Sequence, residues 1–306
     1  MKKIRQQFAD TMLEVGKQDP NLVVLIGDIS HFVLQPFAEA CPGRFYNIGI
    51  CEPTIISMAA GLAKTGFHPV VHTIAPFLLE RSFEQIKLDF CYQKLSGNIV
   101  TVGSSFDYSN LGVTHHCYDD FSLIKSLQNT QIIFPATSIE FEILFKQAYK
   151  NKFLTIYRLP EHQHQQNIDS SEIEIGKAVK IVEGNDITIV VTGPQLKNAI
   201  EARKSLSNLD WDADIIYVHT IKPFDIETVR TSVEKTGRVL VIEEHNSIGG
   251  MNEDVLRAVY NINDLQFHSL GIGPFIHDYG TYDDLCQKLG LSAEGILRAV
   301  ANNFNK

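Results

Sequence analysis

In the segment Phe45-Tyr-Asn-Ile-Gly-Ile-Cys-Glu-Pro-Thr54, one acid, Glu52, stands directly before a proline and the helical pattern IISMAAGLAKTG. Proline suits the first turn of a helix, so Glu52 is placed where a strand gives way to a helix. Open α/β sheets bind ligands outside the carboxyl ends of their strands, which makes this junction a candidate for chemistry. Taken alone, the acid needs no ligand, because the helix dipole favours a carboxylate in a first turn. Two adjacent imidazoles, His115 and His116 in Gly-Val-Thr-His-His, have the chemistry to donate a hydrogen bond or move a proton near neutral pH; as isolated residues they are read as structural. Arg5 opens the first helical pattern and Arg158 follows a strand-like run in Ile-Tyr-Arg-Leu-Pro. A guanidinium fork suits phosphate, although surface ion pairing is the commoner fate of arginine. Phe77 reads equally as core, and Asp28 in Ile-Gly-Asp-Ile-Ser fits the cap of a strand-to-helix turn.

Alternating elements hold these residues. Apolar runs at Leu22–Ile26, Val70–Ile74, Ile99–Val102, Ile132–Phe134 and Leu154–Tyr157 are separated by helical patterns at Ile4–Gly16, Pro53–Gly66, Phe83–Tyr92 and Ile139–Lys150. Short buried-type runs between helices predict a parallel sheet covered on both faces. Within Pro53–Gly66, the small residues Ala59, Ala60 and Gly61 allow close helix packing. The segment 161–172 is polar and aperiodic and is read as a linker. Its His162 and His164 are expected in solvent, since two histidines at that spacing seldom bind metal. Beyond it the alternation resumes with strands at Asp186–Thr192, Ala213–His219 and Arg238–Glu243, and helices at Gln195–Leu206, around Met251–Tyr260 and up to Ala301. The expected fold is therefore two doubly wound α/β domains, 1–160 and 173–306, joined by that linker. Gly249-Gly250 is too short for a phosphate fingerprint and reads as a turn before a helix. Glu243 and Glu244 fall at a strand end with no catalytic role.

Composition agrees with a globular chain. Its 306 residues fit about two domains, and 44% hydrophobic with 21% charged residues is ordinary for a protein with real cores. Thirty-six acidic against 27 basic residues give a net charge of -9, a poor footprint for nucleic acid. No apolar stretch has the length of a membrane span, and the N-terminus lacks a secretory core. The five cysteines, Cys41, Cys51, Cys91, Cys117 and Cys286, are odd in number and form no C-x-x-C pair. That pattern points to a reducing cytoplasm and offers no zinc site.

Four blocks in register resemble the transketolase family: N-I-G-I-C-E-P-x(5)-A-A-G-L-A-x-x-G, T-I-A-P-F-L-L-E-R-S-F-E-Q-I, G-V-T-H-H-x(3)-D-D-F-S-L-I and the later E-E-H-N-S-I-G-G-M. The resemblance runs from Arg5 to about residue 300. It implies a pyrimidine-binding thiamine-diphosphate fold followed by a transketolase C-terminal-like domain. It also implies roles. Glu52 becomes the buried carboxylate that shares a proton with the cofactor's aminopyrimidine, its proton affinity raised by desolvation. Phe77 becomes the aromatic stacked on that ring, and Asp28 a nearby acidic cofactor contact. His115 becomes the active-site histidine near the reacting oxygen, with His116 a lesser substrate contact. Arg158 and Arg5 become phosphate-binding arginines. The cofactor supplies the carbanion chemistry of ketose cleavage.

Two positions depart from the family. Where transketolases carry a substrate-binding histidine in T-H-D-S, this chain reads Val102-Gly-Ser-Ser105, and the acid of G-E-D-G falls near Leu111 in Ser-Asn-Leu-Gly112. Losing groups that read sugar hydroxyls alters which sugar is accepted, so a modified sugar or another donor is expected. The G-D-G segment that helps hold magnesium and diphosphate is absent, and the chain begins where the second domain of a full-length transketolase begins. The expectation is a separate N-terminal subunit supplying the Mg2+ and diphosphate site, with two copies of each chain assembled. The competing relatives are the beta subunit of a 2-oxoacid dehydrogenase's decarboxylating component and deoxyxylulose-phosphate synthase. A non-catalytic scaffold is the reading from another class.

Overall fold

The computed structural model describes residues 2–305. Its strands are β1 (Leu22–Ile26), β2 (Phe45–Asn47), β3 (His68–Ile74), β4 (Gly97–Val102), β5 (Thr130–Ile133), β6 (Leu154–Leu159), β7 (Val179–Val182), β8 (Ile187–Thr192), β9 (Ala213–Val218), β10 (Thr220–Lys222), β11 (Arg238–Asn246) and β12 (Gln266–Ile272). Every residue of β1, β4, β5 and β6 is buried, as strands covered on both faces require. The first sheet has the order β10-β5-β6-β4-β3-β1-β2 and the second β12-β11-β8-β9-β7. All pairings are parallel except the edge pairs β10 with β5 and β7 with β9.

The helices are α1 (Ile4–Gln18), α2 (His31–Ala40), α3 (Glu52–Lys64), α4 (Ala75–Leu79), α5 (Phe83–Gln85), α6 (Asp120–Lys125), α7 (Ser138–Ala148), α8 (Leu196–Ser207), α9 (Ile226–Thr236), α10 (Met251–Val259), α11 (Tyr282–Lys288) and α12 (Ala293–Asn303). In α1 the buried Ile4, Phe8, Met12 and Val15 recur at helical spacing, giving one apolar face to the core. The single helix expected over 83–92 is instead the short α5 followed by a π-helical stretch, Ile86–Tyr92, a widened turn that recurs at functional sites. In α3, Ala59 and Ala60 are buried as expected, but Gly61 is exposed with open space around it.

Two features join the halves. The strand β10, from beyond the linker, completes the edge of the first sheet. The linker itself is docked, which corrects the expectation of a solvated His164, while His162 keeps an exposed side chain. His164 is fully buried, its Nε2 2.7 Å from Glu140 Oε1. Glu140 also accepts from Tyr217 Oη at 2.7 Å and the Ala136 amide at 2.9 Å. Burial pushes the Glu140 carboxyl up, but these donors, led by His164, bring it below its ordinary value. The His162 ring stacks on Tyr282, centroids 3.8 Å apart, and its Nδ1 is 3.0 Å from Asp107 Oδ1. A buried carboxylate must gather donors, and here they come from the linker and the second half of the chain.

Candidate active site

Glu52 is the first residue of α3 and is 1% exposed. Asn47, at the end of β2, sets the approach to it. Its Oδ1 accepts from the amides of Asp28 and Gly49, each at 3.1 Å, and its Nδ2 donates to Asp28 Oδ1 at 3.1 Å. Gly49 lies at φ +82°, a left-handed turn that glycine adopts without steric penalty. From there the Cys51 carbonyl takes the Ile55 amide at 3.0 Å and opens the helix. Asp28 therefore clips β1 to the turn beneath Glu52. It does not cap α2, whose N-cap position is Ser30.

The acid meets a cation and an aromatic face. Arg81 Nη1 donates to Glu52 Oε2 at 2.8 Å, and the same guanidinium carbon lies 4.6 Å from the Phe77 ring centre. A charge this deeply buried needs such a partner. Phe77 meets the His115 ring edge-on at 5.2 Å, and His115 Nδ1 is 3.0 Å from Thr114 Oγ1. Tyr108 meets His115 from another side at 6.0 Å. Arg5 Nη2 donates to Tyr108 Oη at 3.2 Å and pairs with Glu161. The result is one continuous line of contacts, Glu52–Arg81–Phe77–His115–Tyr108–Arg5. Four residues read from the sequence lie on it, and two do not come from that reading. Arg81 belongs to the R-S-F-E-Q block, but its pairing with an acid 29 positions away is tertiary. Tyr108 carried no signal at all.

The loop bearing Tyr108 and His115 is fastened at its base. Ser105 and Cys117 exchange backbone hydrogen bonds of 3.1 and 2.7 Å. Gly103, at φ +76°, stands where the family's histidine would be, and a Cβ there would fall 2.1 Å from Tyr108 Cε2. The tyrosine ring thus fills the space that a larger residue at 103 would need. Leu111, in place of the family's acid, is 53% exposed on the same loop.

Two assignments are corrected. Arg158 is fully buried: its Nε lies 3.1 Å from Asp120 Oδ2, and its Nη2 donates to the carbonyls of Glu244 at 3.0 Å and Cys117 at 3.2 Å. Phe121 and Phe134 flank the guanidinium, each centre 4.6 Å away. This arginine links the two halves of the chain and has no exposed surface. His116 is 3% exposed. Burial lowers its pKa, and its ring lies 6.2 Å from Tyr118.

At the end of β11, Glu243 accepts from the Met251 amide at 2.6 Å and from the Asn252 amide and side chain at 2.9 and 2.8 Å. It caps α10, and a Cβ on Gly250 would lie 2.5 Å from its carboxylate, so the glycine turn is required there. Burial pushes Glu243 up to about 7 despite these donors. Glu244 is also pushed to about 7, chiefly by burial and then by Asp107, and bonds Tyr282 and Gln195. Both are structural. Among the described residues, no group of three or more His, Cys, Asp or Glu side chains is placed to hold a metal ion.

A parallel sheet with a buried acid at the head of one helix, beside an aromatic face and followed by a smaller mixed sheet, is the architecture of the pyrimidine-binding half of a thiamine-diphosphate enzyme. The chain belongs to the transketolase family: the transketolase pyrimidine binding domain matches residues 1–165 and the transketolase C-terminal domain residues 176–296. It is similar to one of the subunits of the apulose-4-phosphate transketolase of Phocaeicola vulgatus, at 30% identity over 99% of this chain and 97% of that one. It is also similar to the 6-deoxy-6-sulfo-D-fructose transketolase subunit SqwH of Clostridium sp. (strain MSTE9), at 29% identity over 97% and 93%. A solved structure described as a split gene transketolase in an inactive beta4 tetramer superposes with a TM-score of 0.89, at 29% identity and 98% coverage of both chains. The chain thus corresponds to the subunit of split transketolases that carries the pyrimidine-binding and C-terminal domains.

Proposed function

We propose that this chain is the C-terminal subunit of a thiamine-diphosphate-dependent transketolase that moves a two-carbon ketol unit between sugar or sugar-phosphate substrates. The observation that carries this reading is a fully buried carboxylate, Glu52, beside an aromatic face, Phe77, with the half-exposed Arg81 cation in contact with both. An aminopyrimidine fits that pair, offering a ring nitrogen to the acid and a flat face to the phenyl ring. When bound, the cofactor supplies the nucleophilic thiazolium carbon and the electron sink. Glu52 holds and returns the proton of the pyrimidine nitrogen. Phe77 orients the ring. His115 donates to the oxygen that gains charge as the ketose carbonyl is attacked. Asp28 steadies the cofactor's side of the site through Asn47. Arg5, on the same line of contacts, is offered to the anionic end of the substrate.

The Mg2+ and diphosphate contacts come, in this reading, from an N-terminal partner subunit in an assembly of two copies of each chain. Exposed apolar side chains on α3, the turn before it and the π-helical stretch packed against it support a partner: Ile50 is 70%, Met58 41%, Leu88 45% and Tyr92 82% exposed. Exposed apolar surface of this kind marks an interaction site. Gly103 and Leu111 stand in place of polar groups that read sugar hydroxyls, which favours a modified sugar over the ordinary pentose phosphates. The pyrimidine-binding domain covers 1–160 and the C-terminal domain 173–306. The free cysteines favour the cytoplasm, and no described helix is long and apolar enough to cross a membrane.

The deciding experiment is Glu52→Gln in the complex reconstituted with the N-terminal subunit. Turnover is expected to fall about a hundredfold or more with assembly intact, and an unchanged rate overturns the role of Glu52. A donor screen accompanies it: turnover of ketose phosphates supports ketol transfer, while turnover of pyruvate alone assigns the chain to a 2-oxoacid-cleaving enzyme.

A further inference from the structure

The Arg81–Glu52 ion pair lies over the Phe77 ring. Arg81 Nη1 is 2.8 Å from Glu52 Oε2, and the guanidinium carbon is 4.6 Å from the Phe77 centre. One planar group therefore satisfies the acid and covers the aromatic ring. Those are the same two contacts, a hydrogen bond to the carboxylate and stacking on Phe77, that an aminopyrimidine would make. A ring on that face of Phe77, bonded to that carboxylate oxygen, would compete with Arg81 for both contacts. The exposures decide which one yields. The Glu52 side chain is 2% exposed and fixed at a helix start, while the Arg81 side chain is 47% exposed. Arginine is long, and its head is stable in water, so it can leave the ring without a change in the backbone.

We propose that Arg81 is a positioning residue that keeps the aminopyrimidine's seat. It aligns and neutralises the Glu52 carboxylate while no heterocycle is present, and it turns away from Phe77 into solvent when a flat ring takes its place. The exchange explains how a carboxylate this buried stays folded and aimed without cofactor, since an unpartnered buried charge is strongly destabilising. It rests on Glu52 and Phe77 being the cofactor's contacts.

Arg81→Ala and Arg81→Lys, each assembled with the N-terminal subunit, are titrated with thiamine diphosphate and Mg2+ by calorimetry, and melting is recorded with and without cofactor. Arg81→Ala is expected to melt below wild type without cofactor. It is nevertheless expected to bind thiamine diphosphate about fivefold to thirtyfold tighter, the factor released when one half-exposed ion pair and one cation–π contact no longer compete. Arg81→Lys falls between the two. Adding Glu52→Gln to Arg81→Ala is expected to restore melting without cofactor, because no unpaired charge remains. Equal or weaker binding by Arg81→Ala overturns the inference and leaves Arg81 a purely structural counter-ion. Failure of the wild-type complex to bind thiamine diphosphate overturns the proposed function itself. Tight wild-type binding and loss of turnover in Glu52→Gln, with no gain in Arg81→Ala, sink the Arg81 exchange alone.

Discussion

His115 and Phe77 touch each other, yet their proposed tasks are separable. The two rings meet edge to face, 5.2 Å between centres, and in the proposed reading Phe77 orients the cofactor ring while His115 serves the substrate. Phe77→Ala is expected to weaken thiamine diphosphate binding about threefold to tenfold, the worth of one aromatic stack, as read by calorimetry. His115→Ala is expected to lower kcat by about a hundredfold and to leave cofactor affinity within about twofold. Equal losses of affinity in both variants would place His115 in the cofactor site instead. Arg5 is tied to Tyr108 and Glu161, so its fork is already oriented toward the loop that carries His115.

At the level of elements, the loop from Gly103 to Cys117 decides the shape of the site. It is pinned by the Ser105–Cys117 bridge and filled by the Tyr108 ring lying across Gly103. Gly103→Ala meets two penalties, a left-handed φ of +76° and a Cβ 2.1 Å from the tyrosine ring. Chemical denaturation is expected to show a loss of about 1 to 3 kcal/mol. Adding Tyr108→Ala to that variant is expected to return part of the loss by removing the clash. If the double variant is no more stable than Gly103→Ala, the ring is not what fills that space.

Across the whole molecule, one buried cation ties the two halves of the chain together. Arg158 reaches Asp120 in the first half and the Glu244 carbonyl in the second. Arg158→Met removes one partner of a buried pair and is expected to cost about 3 to 5 kcal/mol of unfolding free energy. A phosphate-binding arginine would instead raise KM with little effect on stability. Buried histidines set the acid limit. His72 is fully buried, with Nδ1 2.8 Å from the Val100 carbonyl, and burial lowers its pKa from 6.5 to about 3. The unfolded chain takes up this proton below about 6.5 while the folded chain does not. Stability from His72 is therefore complete above about 6.5 and drains away as pH falls toward about 3. The slope is about 1.4 kcal/mol per pH unit. His72→Gln is expected to flatten the stability profile between about pH 4.5 and 6.5, and an unchanged slope would mean that the imidazole is not held neutral.

The sequence by itself determined the parallel α/β character, because uninterrupted runs such as Leu22–Ile26 and Leu154–Tyr157 have no stable place except inside a covered sheet. It also determined the strand–helix junction at Glu52, since the proline and the small residues after it fix a helix start locally. Four blocks in register named the family. Short or composite elements escaped it. The helix α2 contains Pro36, α4 and α6 are only five and six residues long, and β10 exists only because β5 offers an edge. Tertiary structure alone decided the rest. Two arginines of the same type met opposite fates: Arg158 was drawn into the junction by Asp120 and two carbonyls, while Arg81, which carried no role in the sequence, was set over Phe77. His164, a linker histidine that composition assigns to water, was captured by Glu140, while His162 stayed exposed and stacked on Tyr282. The reason is common to all of them. A buried charge or an aromatic face takes its partner from whatever the fold brings within a few ångströms, and that neighbour is not written in the local pattern of residues.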